Sequence, residues 1–197
     1  MDMYGLVICG GNSARMGTDK STLVYYDKPQ HDHLYDQLSL FCKKVIISCN
    51  QEQFVSLETS NEKMPDLAQY SGHGPISGIL TAFDTFPEHD FLVAGCDYPF
   101  LSKDELKLFL AKTTRDSRAA AFYNQDNKYE PLLAWYSKDA GPLLKEHFNR
   151  NEFSLQHFLK KYGAEKYLPK PERVVTSVDT PEEFERVKAI LANENNK

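Results

Sequence analysis

The sequence predicts a doubly wound α/β domain: one mostly parallel sheet with helices on both faces. Three observations lead there. Short apolar runs alternate with longer helical patterns, the order that βαβ units require. A glycine-rich, cationic segment, "ICGGNSARMGTDK" from Ile8 to Lys20, follows directly on the first apolar run. The chain of 197 residues, 41% apolar and 26% charged, is long enough to bury one full core.

The elements follow in chain order. Strands are predicted at Gly5 to Cys9, Val45 to Cys49, Phe91 to Gly95, Ala119 to Tyr123, Pro131 to Tyr136 and Val174 to Val178. Helices are predicted near His33 to Phe41, Ile76 to Phe86, Asp104 to Lys112, Lys138 to Phe148, Leu155 to Lys161 and Pro181 to Ala192. Two helix starts carry their own chemistry: Ser102 with Glu105 makes a capping box, and Thr180, Pro181 and Glu183 combine a cap, a first-turn proline and a reciprocal glutamate. "NQDNK", Asn124 to Lys128, reads as a hairpin turn between two strands. The domain is expected to occupy residues 1–192, with a fraying polar tail over 193–197.

Composition narrows the function. A net charge of −5 argues against a non-specific nucleic-acid binder, which needs a basic face to neutralise phosphates. Cys9, Cys42, Cys49 and Cys96 show no CxxC or zinc-like spacing and are expected to be buried free thiols in a reducing cytoplasm. No apolar run approaches the roughly 20 residues of a membrane helix, so the expectation is a soluble cytoplasmic protein.

Three segments carry chemistry. Gly10, Gly11 and Gly17 let a loop bring backbone N–H groups close to a phosphate chain, and Arg15 and Lys20 add a planar fork and a point charge. The spacing fits neither GxGxxG nor the P-loop, and glycines alone are equally well a turn with two solvated cations. "FLVAGCDYPFL" ends a buried strand at Asp97, on the sheet edge where open α/β folds bind ligands. Beside a polyphosphate loop that carboxylate suits Mg²⁺; alone it would be a turn residue accepting backbone N–H bonds. "GHGPISGI", Gly72 to Ile79, leads flexibly into a helix, and Asp66 upstream is either an acceptor for ligand hydrogen bonds or a turn aspartate.

Together, "CGGNSARMGTDK", "GPISGI", "GCDYPFL" and "VDTPEEF" resemble, in order and spacing, nucleotidyltransferases of the molybdenum cofactor guanylyltransferase type. "KYEPLLAWY" and "EFSLQHFL" resemble further stretches of that family, so the likeness runs from about Leu6 to Val187. It implies a Rossmann-like, nucleotide-diphospho-sugar transferase-like fold and Mg²⁺-dependent transfer of GMP from GTP to molybdopterin carrying molybdenum. Molybdenum cofactor delivery and acceptor proteins are implied as partners. Carried over by position, the backbone at Ile8, Cys9, Gly10 and Gly11 would hold the nucleotide, with Ser48 facing it. Lys20 and Arg15 would hold the triphosphate, Asp97 the metal and Asp66 the guanine. Ser177 and Asp179 stand where the family often has amides facing the pterin, and Asp179 could also help hold the metal.

A phosphate monoester acceptor is already ionised at neutral pH, so the site needs cations more than a base. None of the six histidines is assigned a catalytic role. Cytidylyl transfer, transfer to a sugar 1-phosphate, and a non-catalytic nucleotide-binding regulatory module are the competing readings.

Overall fold

A computed structural model describes residues 2–9, 16–114 and 116–195. Seven strands form one sheet: β1 (Met3–Ile8), β2 (Lys44–Cys49), β3 (Lys63–Pro65), β4 (Asp90–Gly95), β5 (Ala119–Tyr123), β6 (Tyr129–Tyr136) and β7 (Glu165–Tyr167), in the order β3-β2-β1-β4-β6-β5-β7. β3, β2, β1 and β4 are mutually parallel, while β6 runs antiparallel to both β4 and β5. The helices are α1 (Gln30–Ser39), α2 (Gln51–Ser56), α3 (Pro75–Thr85), α4 (Lys103–Lys112), α5 (Ala140–Asn149), α6 (Leu155–Lys161) and α7 (Pro181–Asn195).

Because the sheet is covered on both faces, its strands alternate between two cores rather than between core and water. Met3 and Val7 of β1 face one core with Leu34 and Leu38 of α1 and Phe109 of α4. Leu6 and Ile8 face the other, with Ile76 and Ile79 of α3, Leu144 of α5 and Phe158 of α6. A third, smaller cluster joins Val187 and Leu191 of α7 to Met16 and Tyr25, pinning the last helix onto the segment after β1.

The hairpin turn is made as predicted: Asn124 N–H donates to the Lys128 carbonyl at 2.9 Å and Lys128 N–H to Asn124 Oδ1 at 3.0 Å. So is the box at α7, where Glu183 Oε2 accepts from the N–H groups of Asp179 and Thr180, and Glu183 N–H reaches Thr180 Oγ1 at 3.3 Å. The box at α4 is half made. Ser102 Oγ accepts from Glu105 N–H, but the Glu105 carboxylate instead accepts from the Tyr167 hydroxyl at 2.6 Å, which joins α4 to β7.

The strand predicted at Val174 to Val178 is not one. Glu172–Val175 form a 3₁₀ turn, and the edge position beside β5 is taken by β7, a strand too short to show as an apolar run. β3 and α2 are likewise short elements that the pattern of runs does not display. Helix α7 continues past Ala192 to Asn195. All four cysteines are free, and Cys9, Cys49 and Cys96 are buried. Among the described residues, no helix is long and apolar enough to cross a membrane.

Candidate active site

The four parallel strands bring their carboxyl ends to one edge. In sheet order that edge presents Asp66 just after β3, Ser48 and Cys49 at the end of β2, Cys9 just after β1, and Asp97 just after β4. Neighbouring strands lie about 4.8 Å apart, so β3 and β4 are separated by about 14 Å. That row is wide enough for a nucleotide to lie across the strand ends.

Asp97 is held by its backbone on both sides. Its carbonyl accepts from Val178 N–H at 2.9 Å, and the Tyr98 N–H returns to the Gly95 carbonyl at 3.3 Å. Its side chain folds back over the end of β4, where a Cβ on residue 95 would lie only 2.6 Å from Asp97 Oδ1 and 2.9 Å from Leu132 Cβ. Gly95 is therefore what makes room for the carboxylate. Asp97 Oδ1 is buried and has no hydrogen-bond partner among the described residues. Burial pushes the Asp97 carboxyl up to about 6, opposed by the Lys20 ammonium and reinforced by Asp179 and Glu130.

Lys20 opens a 3₁₀ turn over Lys20–Thr22 whose cap is Asp19. Its ammonium pairs with the Asp179 carboxylate in the segment before α7. Residues far apart in the chain are thus brought into one neighbourhood: Lys20 after β1 pairs with Asp179, the Val178–Asp97 bond ties that segment to the end of β4, and the charges of both act on the Asp97 carboxyl. Ser177 lies half-buried beside Val178. Gly10, Gly11 and Arg15 lie outside the described residues.

Asp66 is 9% exposed, and burial pushes its carboxyl up to about 6. Its N–H donates to the Cys49 carbonyl at 3.0 Å, and the Leu67 N–H to Thr81 Oγ1 at 3.0 Å, which anchors the turn to α3. Ser48 is buried under α3, where a Cβ on Gly78 would sit 2.2 Å from its hydroxyl oxygen. The backbone at Ile8 and Cys9 is engaged within the sheet: the Ile8 carbonyl accepts from Cys96 N–H, and Cys9 N–H donates to the Ser48 carbonyl. Each carbonyl keeps a second lone pair.

Sequence reasoning missed several groups that build this edge. Glu130 on β6 accepts from the Tyr98 hydroxyl and from Asn124 Nδ2, both at 2.7 Å, and burial raises its carboxyl. It lies within "KYEPLLAWY", but only the hairpin folds it back toward Tyr98. Asp19 and Gln53 join β1 to the Lys20 turn. The cap pattern from Asn50 to Gln53 is visible in the sequence, whereas its reach to Asp19 is not.

The model of the MobA-like NTP transferase domain matches residues 5–167. The chain belongs to that family. It is a nucleotidyltransferase, and its fold is that of a crystal structure titled molybdopterin-guanine dinucleotide biosynthesis protein A from Archaeoglobus fulgidus, with a TM-score of 0.79 at 22% identity over 97% of this chain and 100% of that one. Among curated relatives, a molybdenum cofactor biosynthesis bifunctional protein of Synechocystis sp. is 29% identical over 94% of this chain. The transferase spans only 53% of that relative's length. A molybdenum cofactor guanylyltransferase of Shewanella pealeana is 26% identical, with 97% of this chain and 96% of the relative covered. The family match ends at residue 167, so Asp179, which pairs with Lys20, and α7 lie beyond it.

Proposed function

We propose that this transferase moves GMP from GTP to molybdopterin carrying molybdenum and releases pyrophosphate. The observation that carries the reading is the meeting of Lys20, Asp97 and Asp179 at the carboxyl edge, one cation facing two carboxylates. The name of the Shewanella pealeana relative, a molybdenum cofactor guanylyltransferase, suggests the acceptor and the base.

The residues fit a hard divalent cation. Asp97 Oδ1 is a buried carboxylate oxygen with no hydrogen-bond partner among the described residues, and the Asp179 carboxylate is near enough for its charge to act on Asp97. Mg²⁺ takes one or two carboxylates and completes its shell with phosphate oxygens and water, so this donor set suffices. Among the described residues, no three His, Cys, Asp or Glu side chains gather into a protein-only metal cage. Bound there, Mg²⁺ would screen the approach of two anions and offset charge on the α-phosphoryl oxygens.

The chain's own residues do the rest. Lys20 holds phosphate oxygens and, with Arg15, offsets the negative charge that grows as pyrophosphate leaves. Asp97 holds the cation in its ionised form. A phosphate monoester needs no base to attack, so the lack of a histidine in these roles is consistent with the chemistry. Asp66, at the β3 end of the row, accepts the N1–H and N2–H₂ donors of guanine, while adenine and cytosine present other patterns.

Pyrophosphate release with each of the four nucleoside triphosphates, with and without molybdopterin, tests the reading. GTP is expected to outcompete ATP and CTP by more than about tenfold, or about 1.4 kcal/mol. Asp66→Ala should shrink that preference while sparing Mg²⁺ binding. Because the Asp66 carboxyl sits at about 6, the preference should also weaken as pH falls through that value and the acceptor takes up a proton. A preference for CTP would move the enzyme to cytidylyl transfer. Unchanged selectivity in Asp66→Ala would assign the base to the backbone at Ile8 to Gly10.

A further inference from the structure

Gln53 is the third residue of α2 and is 8% exposed. Its side chain makes three hydrogen bonds. Oε1 accepts from Asn50 N–H at 3.1 Å, while Nε2 donates to the Cys9 carbonyl at 3.2 Å and to Asp19 Oδ2 at 2.7 Å. A carboxamide offers two N–H donors, and both are spent here. The other Asp19 oxygen accepts from the Ser21 N–H at 2.9 Å and the Ser21 hydroxyl at 2.7 Å, shaping the 3₁₀ turn that presents Lys20. The chain of contacts therefore runs from the end of β1, through one amide, to the turn that carries the site's lysine.

We infer that Gln53 is a positioning residue for nucleotidyl transfer: it locks the Asp19–Lys20 turn to the end of β1, so that Lys20 is already placed when a triphosphate arrives. This rests on the reading of Lys20 as the triphosphate cation. Capping α2 does not account for the residue, because the cap uses only Oε1, and glutamate at this helix position would cap equally well and suit the helix dipole better. Of the two side chains that would serve this cap, only the glutamine amide can donate at once to a carbonyl and to a carboxylate. A glutamate would set its own carboxylate against that of Asp19, and the link would become a repulsion.

Gln53→Glu separates the two roles, since it keeps the cap and the size but loses both donors. The measurement is kcat and KM for Mg·GTP in pyrophosphate release, in the wild-type and Lys20→Ala backgrounds, with circular dichroism to confirm folding. Gln53→Glu is expected to lower kcat/KM about tenfold in the wild-type background, mostly through kcat, and to add almost nothing once Lys20 is gone. Asp19→Ala breaks the same link from the other side without touching the α2 cap and carries the same expectation, which serves if Gln53→Glu does not fold. Wild-type kcat/KM in both variants, or equal losses with and without Lys20, overturns the positioning role and leaves the function standing. Absence of nucleotide-dependent pyrophosphate release in the wild type overturns the function, and this inference with it.

Discussion

Asp97→Asn is expected to abolish Mg²⁺-dependent pyrophosphate release in a protein that melts no lower than the wild type at pH 8. The loss follows from ligand chemistry, because a neutral amide is a poor Mg²⁺ ligand, and a rate loss of about a thousandfold or more is expected once charge on the phosphoryl group is no longer offset. The stability follows from linkage. The Asp97 carboxyl lies at about 6 in the fold against an ordinary 3.8, chiefly because it is buried. An acid whose folded value is raised costs the fold nothing while protonated in both states, a growing amount between the two values, and the full amount above the higher one. The cost is thus complete at pH 8, and the amide removes it. Without metal the carboxyl sits at about 6, and a bound cation favours its ionised form, so turnover should fall with acidification below that value and less Mg²⁺ should be held as the carboxyl takes up a proton. Turnover near the wild-type rate in folded Asp97→Asn would refute the metal assignment; a melting temperature below wild type at pH 8 would refute the cost of the buried charge.

The sheet was legible wherever strands are long and covered on both faces, because such strands appear as apolar runs bounded by turn residues. β1, β2, β4, β5 and β6 all have that form. β3 and β7 do not: each has three residues, none of β3's is buried, and only Tyr167 of β7 is. Their place in the sheet is decided by neighbours, β7 by its parallel register with Ala120 to Phe122 and β3 by its register with the end of β2. The apolar run at Val174 to Val178 misled for the converse reason. Val174 and Val178 are buried, but Val174 joins the core behind the sheet and Val178 the small cluster under α7, and no strand lies beside them to form a ladder.

The site was legible in its charged residues and opaque in what holds them. Lys20 and Asp97 stand out only in combination, because a cationic glycine segment after one strand and a carboxylate after another each have a plain turn reading when taken alone. Gly95 does not, since its role depends on the Asp97 side chain folding back over it, a contact that no spacing encodes. Gln53 sits on a different element from the residue it orients, at a separation of 34 in the chain from Asp19. Asp179 reads in the sequence as a departure from an amide, but its pairing with Lys20 comes with Val178 docking its N–H on the Asp97 carbonyl.

That pairing shapes the second large effect. Lys20→Ala is expected to lower kcat/KM by about a hundredfold, or about 2.7 kcal/mol, with kcat falling more than nucleotide affinity. In the structure the Lys20 ammonium rests against the Asp179 carboxylate, so a triphosphate that takes the lysine replaces one anionic partner with another. The gain in ground-state binding is then only the difference between those partners. The charge that grows on the departing pyrophosphate has no counterpart in the Lys20–Asp179 pair, and that is where the lysine's contribution falls undiminished. Asp179→Asn separates the two effects. With the resting partner neutralised, Lys20 is expected to hold nucleotide more tightly when Mg²⁺ is withheld, whereas Lys20→Ala binds it more weakly under the same conditions. A rise in KM with unchanged kcat in Lys20→Ala would make the lysine a ground-state phosphate holder. Weaker metal-free nucleotide binding in Asp179→Asn would mean that the ion pair positions Lys20 rather than competing for it.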